Sequence, residues 1–451
     1  MSKLSRYNHF HAWRNGSYLA FNARSGAVAL LDSSHYATYE RLAQKIRSNW
    51  TGPLAADEEE LLKQMRYGSF ACDDEFSELD WLKFEHNKAR FDETTLGLVI
   101  APTMACNMAC TYCFEGNKQG RMSDDTVRAI LEFIDRRAGS LKGLDVDWFG
   151  GEPLLAMDII ERLSRGFIDL SVANKFEFGA SMVTNGYLLT RENVDRLAEL
   201  KCASAQVTLD GPSRIHDRQR PLKNGKSSFA TIISNLQYAV TKMGVSIRVN
   251  IDKTFNAETI RELIDELQQA GLQRKVWVNF GMLEATTGVC ANIAENCYGA
   301  ADFSKVETEY FALLLDQGFR IQKLPAPTNV FCMAQQVGCL LIDPDGDLYR
   351  CFNHVGDKAK ATGHISAELN FRHPEFNRLF RFDPFDYPEC RECNILPLCM
   401  GSCPARRING NGRPETTCDT WKYNLEPMLE IIALARQQAA AAQAAAKQEK
   451  P

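Results

Sequence analysis

The sequence predicts an α/β protein: a partial barrel of six strand–helix units, a small β+α element before it and an irregular cysteine-rich region after it. Three observations carry this. From Leu96 onward, buried strand patterns alternate with amphipathic helix patterns. Before that point, short aromatic and β-branched stretches precede two helical patterns. After about residue 325 the alternation stops, and cysteine, glycine, proline and asparagine dominate. A chain of 451 residues suffices for about three domains and a large buried core.

Taken in order, YNHFHAWRNGSYLAFNARSGAVALLD over residues 6–32 is broken at Asn15-Gly16 and Ser25-Gly26, which predicts two or three short strands joined by turns. Ser33 or Ser34 can cap a helix running through Tyr39, Leu42 and Ile46. A second helix starts at Ala55 or Asp57 and carries Leu61, Leu62 and Met65 on one face. Residues 1–90 thus have the size of a small separate domain. The core, residues 96–310, begins with strand LGLVIAPT, a helix near 124–137, strand LDVDWFGG, a helix near 157–174 and strand FEFGASMVTNG. It continues with a helix near 191–200, strand SAQVTLDG, a helix near 229–243, strand VSIRVNID, a helix near 257–270 and strand KVWVNFGM. Such repeats build a parallel sheet whose active site lies at the C-terminal strand ends. Residues 325–423 form the cysteine-rich segment, expected to be held together by metal. The tail from 424 is helical and ends in an alanine tract over 438–446, read as a frayed helix without function.

Composition narrows the function classes. The chain is 45% hydrophobic and 24% charged and has no run of 18 apolar residues, which argues against a membrane-spanning or disordered protein. Its start, MSKLSRYNHFHAWRNG, has no apolar signal segment, so a cytoplasmic location is expected. With 52 basic residues against 57 acidic ones and no basic block, nucleic acid is not an expected partner.

Fifteen cysteines are the anomaly, and in a reducing compartment clustered cysteines hold metal or do redox chemistry. Three lie at 106, 110 and 113, directly after the strand that ends at Ala101-Pro102-Thr103, and eight lie between 332 and 418. Three cysteines at this spacing could also share one helix face or bind zinc. Three thiolates can equally hold three irons of a 4Fe-4S cluster and leave the fourth iron open.

Cys106-Asn-Met-Ala-Cys110-Thr-Tyr112-Cys113 resembles the C-x3-C-x-aromatic-C motif of the radical S-adenosylmethionine (SAM) superfamily. The resemblance implies that the open iron chelates SAM, whose reductive cleavage yields a 5′-deoxyadenosyl radical that abstracts a substrate hydrogen. Trp148-Phe149-Gly150-Gly151-Glu152-Pro153 is similar to the family's GGEP motif, in which the glycines let the backbone approach the SAM amino group and Glu152 can add a hydrogen bond. Thr184-Asn185-Gly186 and the run from Gln206 to Arg220 close the next two strands. By resemblance Thr208 and Arg220 contact the ribose and carboxylate of SAM, and Tyr112 and Phe114 line the adenine. Asn185 and Asp210 are candidates that serve equally well as turn residues.

Cys390-x2-Cys393-x5-Cys399-x3-Cys403, with Cys418 after it and Cys332, Cys339 and Gly346-x4-Cys351 before it, resembles the SPASM extension of radical SAM peptide-modifying enzymes. The family pattern implies that Cys332, Cys339, Cys351 and Cys403 ligate one auxiliary 4Fe-4S cluster, and Cys390, Cys393, Cys399 and Cys418 another. A zinc ribbon is the alternative. Three clusters use eleven cysteines, leaving Cys72 and Cys202 as expected buried hydrophobes and Cys290 and Cys297 without an assigned role.

The first 90 residues look like the winged-helix-like element that binds precursor peptides, where a disordered leader can add a strand to a sheet edge. The resemblance therefore implies a maturase of a leader-bearing precursor peptide, forming a thioether or carbon–carbon cross-link and reduced by a flavodoxin or ferredoxin. Two alternatives stand beside it. An anaerobic sulfatase-type maturase would form formylglycine, but its Asp base directly follows the G-x4-C cysteine, and here Cys351 is followed by Phe352-Asn353. A non-catalytic iron–sulfur scaffold or electron carrier would not need the SAM motifs.

Overall fold

The computed structural model describes residues 2–116, 118–285, 293–409 and 417–448. Its chain forms two compact units. One comprises Met1–Ala89, Lys323–Phe331 and Asp383–Pro451, the other Arg90–Gln322 and Cys332–Phe382. The cysteine-rich segment over 325–423 is thus shared between both, and the N-terminal 89 residues fold together with the C-terminal ones.

In the first unit β1 (Ser2–Leu4) pairs with β5 (Ala71–Asp73), while β2 (Asn8–Ala12), β3 (Tyr18–Asn22) and β4 (Val28–Leu31) form an antiparallel sheet in the order β2-β3-β4. The helices α1 (Ser33–Arg47) and α2 (Ala56–Tyr67) cover one face of it, and α3 (Glu78–Arg90) follows. The α1 cap is Asp32, whose carboxylate accepts the His35 N–H at 2.8 Å, so neither expected serine holds that position. Phe10 stacks on Tyr39 at 4.1 Å, and Leu42, Met65 and Phe70 complete this core. On the opposite face His11 is clamped by Glu426 and Glu430, one turn apart on the helix Trp421–Gln448. Arg6 donates to the Arg391 carbonyl at 2.8 Å.

The second unit contains the expected barrel strands: β6 (Thr95–Ile100), β7 (Gly143–Trp148), β8 (Glu177–Thr184), β9 (Cys202–Thr208), β10 (Gly244–Ile251) and β11 (Val276–Met282), all parallel and adjacent in chain order. The connecting helices are α4 (Asp124–Asp135), α5 (Met157–Asn174), α6 (Arg191–Glu199), α7 (Ser213–Gln219), α8 (Phe229–Ala239) and α9 (Ala257–Gln269), and α10 (Ala300–Asp316) follows β11. β11 and β6 do not pair, so the barrel stays open. Instead β12 (Cys339–Ile342) adds parallel to β6 and continues through β13 (Asp347–Tyr349) and β14 (Gly363–His364), with α11 (Pro374–Phe380) after them.

Strand alternation decides which side chains reach the site. Val245, Ile247, Val249 and Ile251 of β10 are fully buried, so Ser246, Arg248 and Asn250 occupy the other face. Among the described residues no helix is long and apolar enough to cross a membrane.

Candidate active site

β6 ends at Ile100, and the chain leaves the sheet as a loop without helical structure from Ala101 to Gly116, which excludes a common helix face for Cys106, Cys110 and Cys113. Main-chain pairing fixes this loop. Its base is closed by Met104 N to Gly120 O at 3.0 Å and Thr103 Oγ1 to Gly120 O at 2.6 Å. Its middle is zipped to the segment after α7, with Ala109 N to Pro221 O at 2.9 Å, Thr111 N to Gln219 O at 3.0 Å and Lys223 N to Asn107 O at 2.9 Å. That pairing carries Arg220 to the cysteines: its charge acts on Cys106, Cys110 and Cys113, opposing burial, which pushes all three thiols up, Cys106 to about 11.

The Gly150-Gly151 turn after β7 packs onto the start of the same loop. A Cβ on Gly150, at φ +119°, would stand 2.3 Å from Thr103 O, and one on Gly151 2.4 Å from the carbonyls of Met104 and Ala105. The glycines are therefore required by the cysteine loop itself. Gly151 N and Glu152 N donate to Thr103 O and Ala105 O, at 3.2 and 2.9 Å. Glu152 is fully buried, and its carboxylate accepts from Leu154 N, Thr184 Oγ1 and Asn185 N at 3.2, 2.7 and 2.8 Å. Glu152 thus ties the end of β7 to the end of β8. Asn185 in turn reaches the cysteine loop, donating to Asn107 Oδ1 at 2.7 Å and lying 3.8 Å from Cys106 Sγ.

At the ends of β9 and β10 the side chains form one network. Arg220 Nη1 donates to Tyr112 Oη at 2.5 Å and pairs with Asp210 at 3.4 Å. The Tyr112 hydroxyl donates to Asp210 Oδ2, and Asn250 donates to Tyr112 Oη at 3.2 Å and, from its main chain, to Asp210 Oδ1 at 3.0 Å. Tyr112 is held here by its hydroxyl, a contact its expected place beside adenine does not involve. Behind this network the Asp210 N–H donates to His216 Nδ1 at 3.2 Å, His216 Nε2 meets Ser228 Oγ at 3.1 Å, and Ser228 donates to Arg220 O at 3.1 Å. Burial and Arg220 push His216 down to about 4, so the imidazole works as a neutral strut. Thr208 is buried at the C-terminal end of β9, and its register partner is Arg248; Phe114 is partly buried beside Cys113.

These residues fit a polar ligand next to three cysteines. Arg220 Nε and Asn107 Nδ2 are buried without a hydrogen-bond partner among the described residues, and each is a donor awaiting an acceptor. No three His, Cys, Asp or Glu side chains among the described residues close on a single metal ion. A four-iron cluster instead takes each thiolate on a separate iron.

The C-terminal cysteines divide between the units. Cys390, Cys393, Cys399, Cys403 and Cys418 belong to the first, Cys332, Cys339 and Cys351 to the second. Cys390 interacts electrostatically with Cys393 and Cys418, and Cys399 with Cys390 and Cys393, so these four share one neighbourhood. Arg407 Nη2 lies 3.6 Å from Cys390 Sγ and 2.8 Å from Glu389. In the second unit Arg350, 1% exposed, donates to the carbonyls of Met333, Ala334, Gln336 and Cys339 and so shapes the turn between Cys332 and Cys339. Sequence reading missed Asn250, Arg350 and Arg407. Asn250 could have been found, since it stands at a strand's C-terminal end in phase with Arg248. Of the remaining cysteines, Cys202 is buried in β9, Cys72 and Cys297 are partly buried, and Cys290 lies outside the described residues.

Comparison with known proteins agrees with this geometry. The radical SAM superfamily matches residues 100–267. The mycofactocin maturase MftC of Mycolicibacterium smegmatis is 26% identical over 331 residues, which cover 68% of this chain and 77% of that one. The serine-type anaerobic sulfatase-maturating enzyme of Bacteroides thetaiotaomicron is 26% identical over 367 residues, covering 71% and 85%. In fold, the crystal structure of Streptococcus suis SuiB bound to precursor peptide SuiA superposes with a TM-score of 0.53 at 18% identity, over 93% of this chain and 99% of that one. Residues 100–267, with the cysteine loop they contain, are a radical SAM domain, and the cofactors shared across that superfamily are SAM and a 4Fe-4S cluster.

Proposed function

We propose that this enzyme modifies a ribosomally made, leader-bearing precursor peptide by radical hydrogen abstraction, closing a thioether or carbon–carbon cross-link. The observation that carries the reading is the union in one chain of the cysteine loop, eight further cysteines and a small antiparallel sheet whose β4 edge is unpaired among the described residues. An unpaired edge accepts an extended peptide through main-chain hydrogen bonds. Similarity to MftC and the fold of peptide-bound SuiB support it.

In this reading Cys106, Cys110 and Cys113 hold the SAM cluster, and the two C-terminal cysteine sets hold auxiliary clusters that accept the electron released when the new bond closes. SAM bound at the first cluster supplies the 5′-deoxyadenosyl radical for hydrogen abstraction. Asn107 and Arg220 orient the ligand through their spare buried N–H groups, Thr208 and Phe114 line its place, and the Asp210–Tyr112–Asn250 network holds the Arg220 guanidinium in line. Glu152 and Asn185 keep the cysteine loop in register with the strand ends. Eleven cysteines serving clusters suit the cytoplasm, where a flavodoxin or ferredoxin supplies electrons.

The sulfatase-type reading has its own support in the relative from Bacteroides thetaiotaomicron. Against it, Phe352 occupies the position of the expected carboxylate base and packs edge-on against Phe149 at 5.0 Å, leaving an apolar contact where a base would stand.

The test is co-expression with a candidate leader-bearing peptide from any small open reading frame found beside the gene, followed by mass analysis. A loss of two hydrogens from a peptide that does not react with an aldehyde probe is the expected result. A product of the same mass that the probe labels would establish formylglycine formation and overturn the cross-linking assignment.

A further inference from the structure

The guanidinium of Arg350 is buried at 1% exposure, yet no carboxylate pairs with it among the described residues. Its Nη atoms donate to four main-chain carbonyls, those of Met333, Ala334, Gln336 and Cys339, and its Nε has no partner among the described residues. Phe376 lies under the guanidinium, 4.5 Å from ring centroid to Cζ. Carbonyls satisfy donors but carry no net charge, and an isolated buried cation is strongly disfavoured. Arginine cannot escape by losing its proton. The groups that act on it electrostatically are Cys339 and Cys332, and the residue after it is Cys351. Two cysteines assigned to one cluster thus act on a cation that lacks an anion among the described residues, and a third follows it in the chain.

The contrast with Arg220 and Arg407 sharpens this. Arg220 has Asp210 at 3.4 Å and Arg407 has Glu389 at 2.8 Å. Arg350 has neither. A 4Fe-4S core of charge 2+ bound by four thiolates carries a net charge of 2−, and reduction adds one more negative charge. A fixed cation beside it favours both the bound cluster and its reduced form.

We propose that Arg350 is the counter-charge of an iron–sulfur cluster ligated by Cys332, Cys339 and Cys351, and that it raises that cluster's reduction potential. The inference rests on the auxiliary-cluster reading given above. Arg350 acts as a positioning residue: it organises the Cys332–Cys339 turn through its carbonyl contacts and tunes the cluster through its charge.

The full-length enzyme, purified anaerobically as wild type, Arg350→Lys and Arg350→Gln, separates the charge from the carbonyl contacts. Iron content is measured alongside midpoint potentials from an EPR-monitored titration, and the relevant signal is the one that Cys351→Ala abolishes. Arg350→Lys is expected to keep both the iron and the midpoint of that signal. Arg350→Gln is expected to shift its reduction equilibrium at least tenfold toward the oxidised form, about 59 mV more negative for one electron, or to lose that signal alone with about four irons. Unchanged midpoints in Arg350→Gln would overturn the proposal, as would equal damage in both variants, which would make Arg350 a loop tie whose charge is irrelevant. A wild type holding only about four irons would refute the auxiliary clusters themselves and the proposal with them.

Discussion

The loop that carries Cys106, Cys110 and Cys113 is held by main-chain pairing to Gly120 and to residues 219–223, with two glycines packed against it. The turn between Cys332 and Cys339 has a few main-chain bonds of its own, such as Gln335 N to Cys332 O at 3.0 Å, and the Arg350 guanidinium at its centre donates to four of its carbonyls. The first device spreads its hold over many backbone bonds anchored to a parallel sheet. The second adds to its backbone bonds a single buried charge that gathers four carbonyls. Each region is vulnerable in its own way: the barrel loop to anything that pushes backbone apart, the Cys332–Cys339 turn to loss of the Arg350 side chain.

The largest expected effect breaks the division of labour between the regions. Cys393→Ala or Cys399→Ala should abolish peptide conversion and lose iron while keeping uncoupled SAM cleavage, followed as 5′-deoxyadenosine. Conversion at the wild-type rate by either variant would remove the auxiliary clusters from the reaction. Next comes Gly150→Ala, which sets a Cβ 2.3 Å from Thr103 O at φ +119°. It should cost about 3 kcal/mol or more of stability, read as a lower melting temperature, and lose iron from the SAM site.

A comparable effect, reached by pH, tests the strut behind Arg220. His216 binds its proton at about 4 in the folded protein against an ordinary 6.5. Between those values the unfolded chain binds the proton and the folded chain does not, so stability is full above pH 6.5 and falls as the pH drops toward 4, by up to about 3 kcal/mol. Thermal melts at pH 7.5 and 5.5 should show a larger loss for the wild type than for His216→Gln, and equal losses would reject the neutral-strut role. Glu152→Gln is smaller: an amide N–H would face the donors Thr184 Oγ1 or Asn185 N, costing about 2 kcal/mol. SAM affinity should weaken as the Asn185 contact to the loop loosens. Smallest is His11→Ala, which removes a half-exposed clamp to Glu426 and Glu430 worth roughly 0.5–1 kcal/mol, detectable only as a slight shift in melting.

The same contrast governs what could be read in the sequence. The six barrel strands stood out because each alternates or runs apolar between turn signals, and their motifs sit at strand ends, where a parallel sheet puts chemistry. β12, with the sequence CLLI, did not stand out: four residues between cysteines carry no period, and their pairing with β6 is a long-range event. Spacing revealed the C-terminal cysteines, but their surroundings depend on contacts such as Arg6 to Arg391, far apart in the chain. That contact also changes how the N-terminal element should be tested. Residues 1–89 share a unit with the Cys390–Cys418 segment, so substitutions along the β4 edge, such as Leu30→Lys, probe peptide binding more cleanly than deletion of residues 1–90.

Radical chemistry from the Cys106, Cys110 and Cys113 loop stands or falls on one paired measurement. Anaerobically reconstituted wild-type enzyme should hold about twelve irons and release 5′-deoxyadenosine from SAM under reduction, while the Cys106→Ala, Cys110→Ala, Cys113→Ala triple variant should hold about eight and release none. Full iron content with continued 5′-deoxyadenosine formation in the triple variant would contradict the claim.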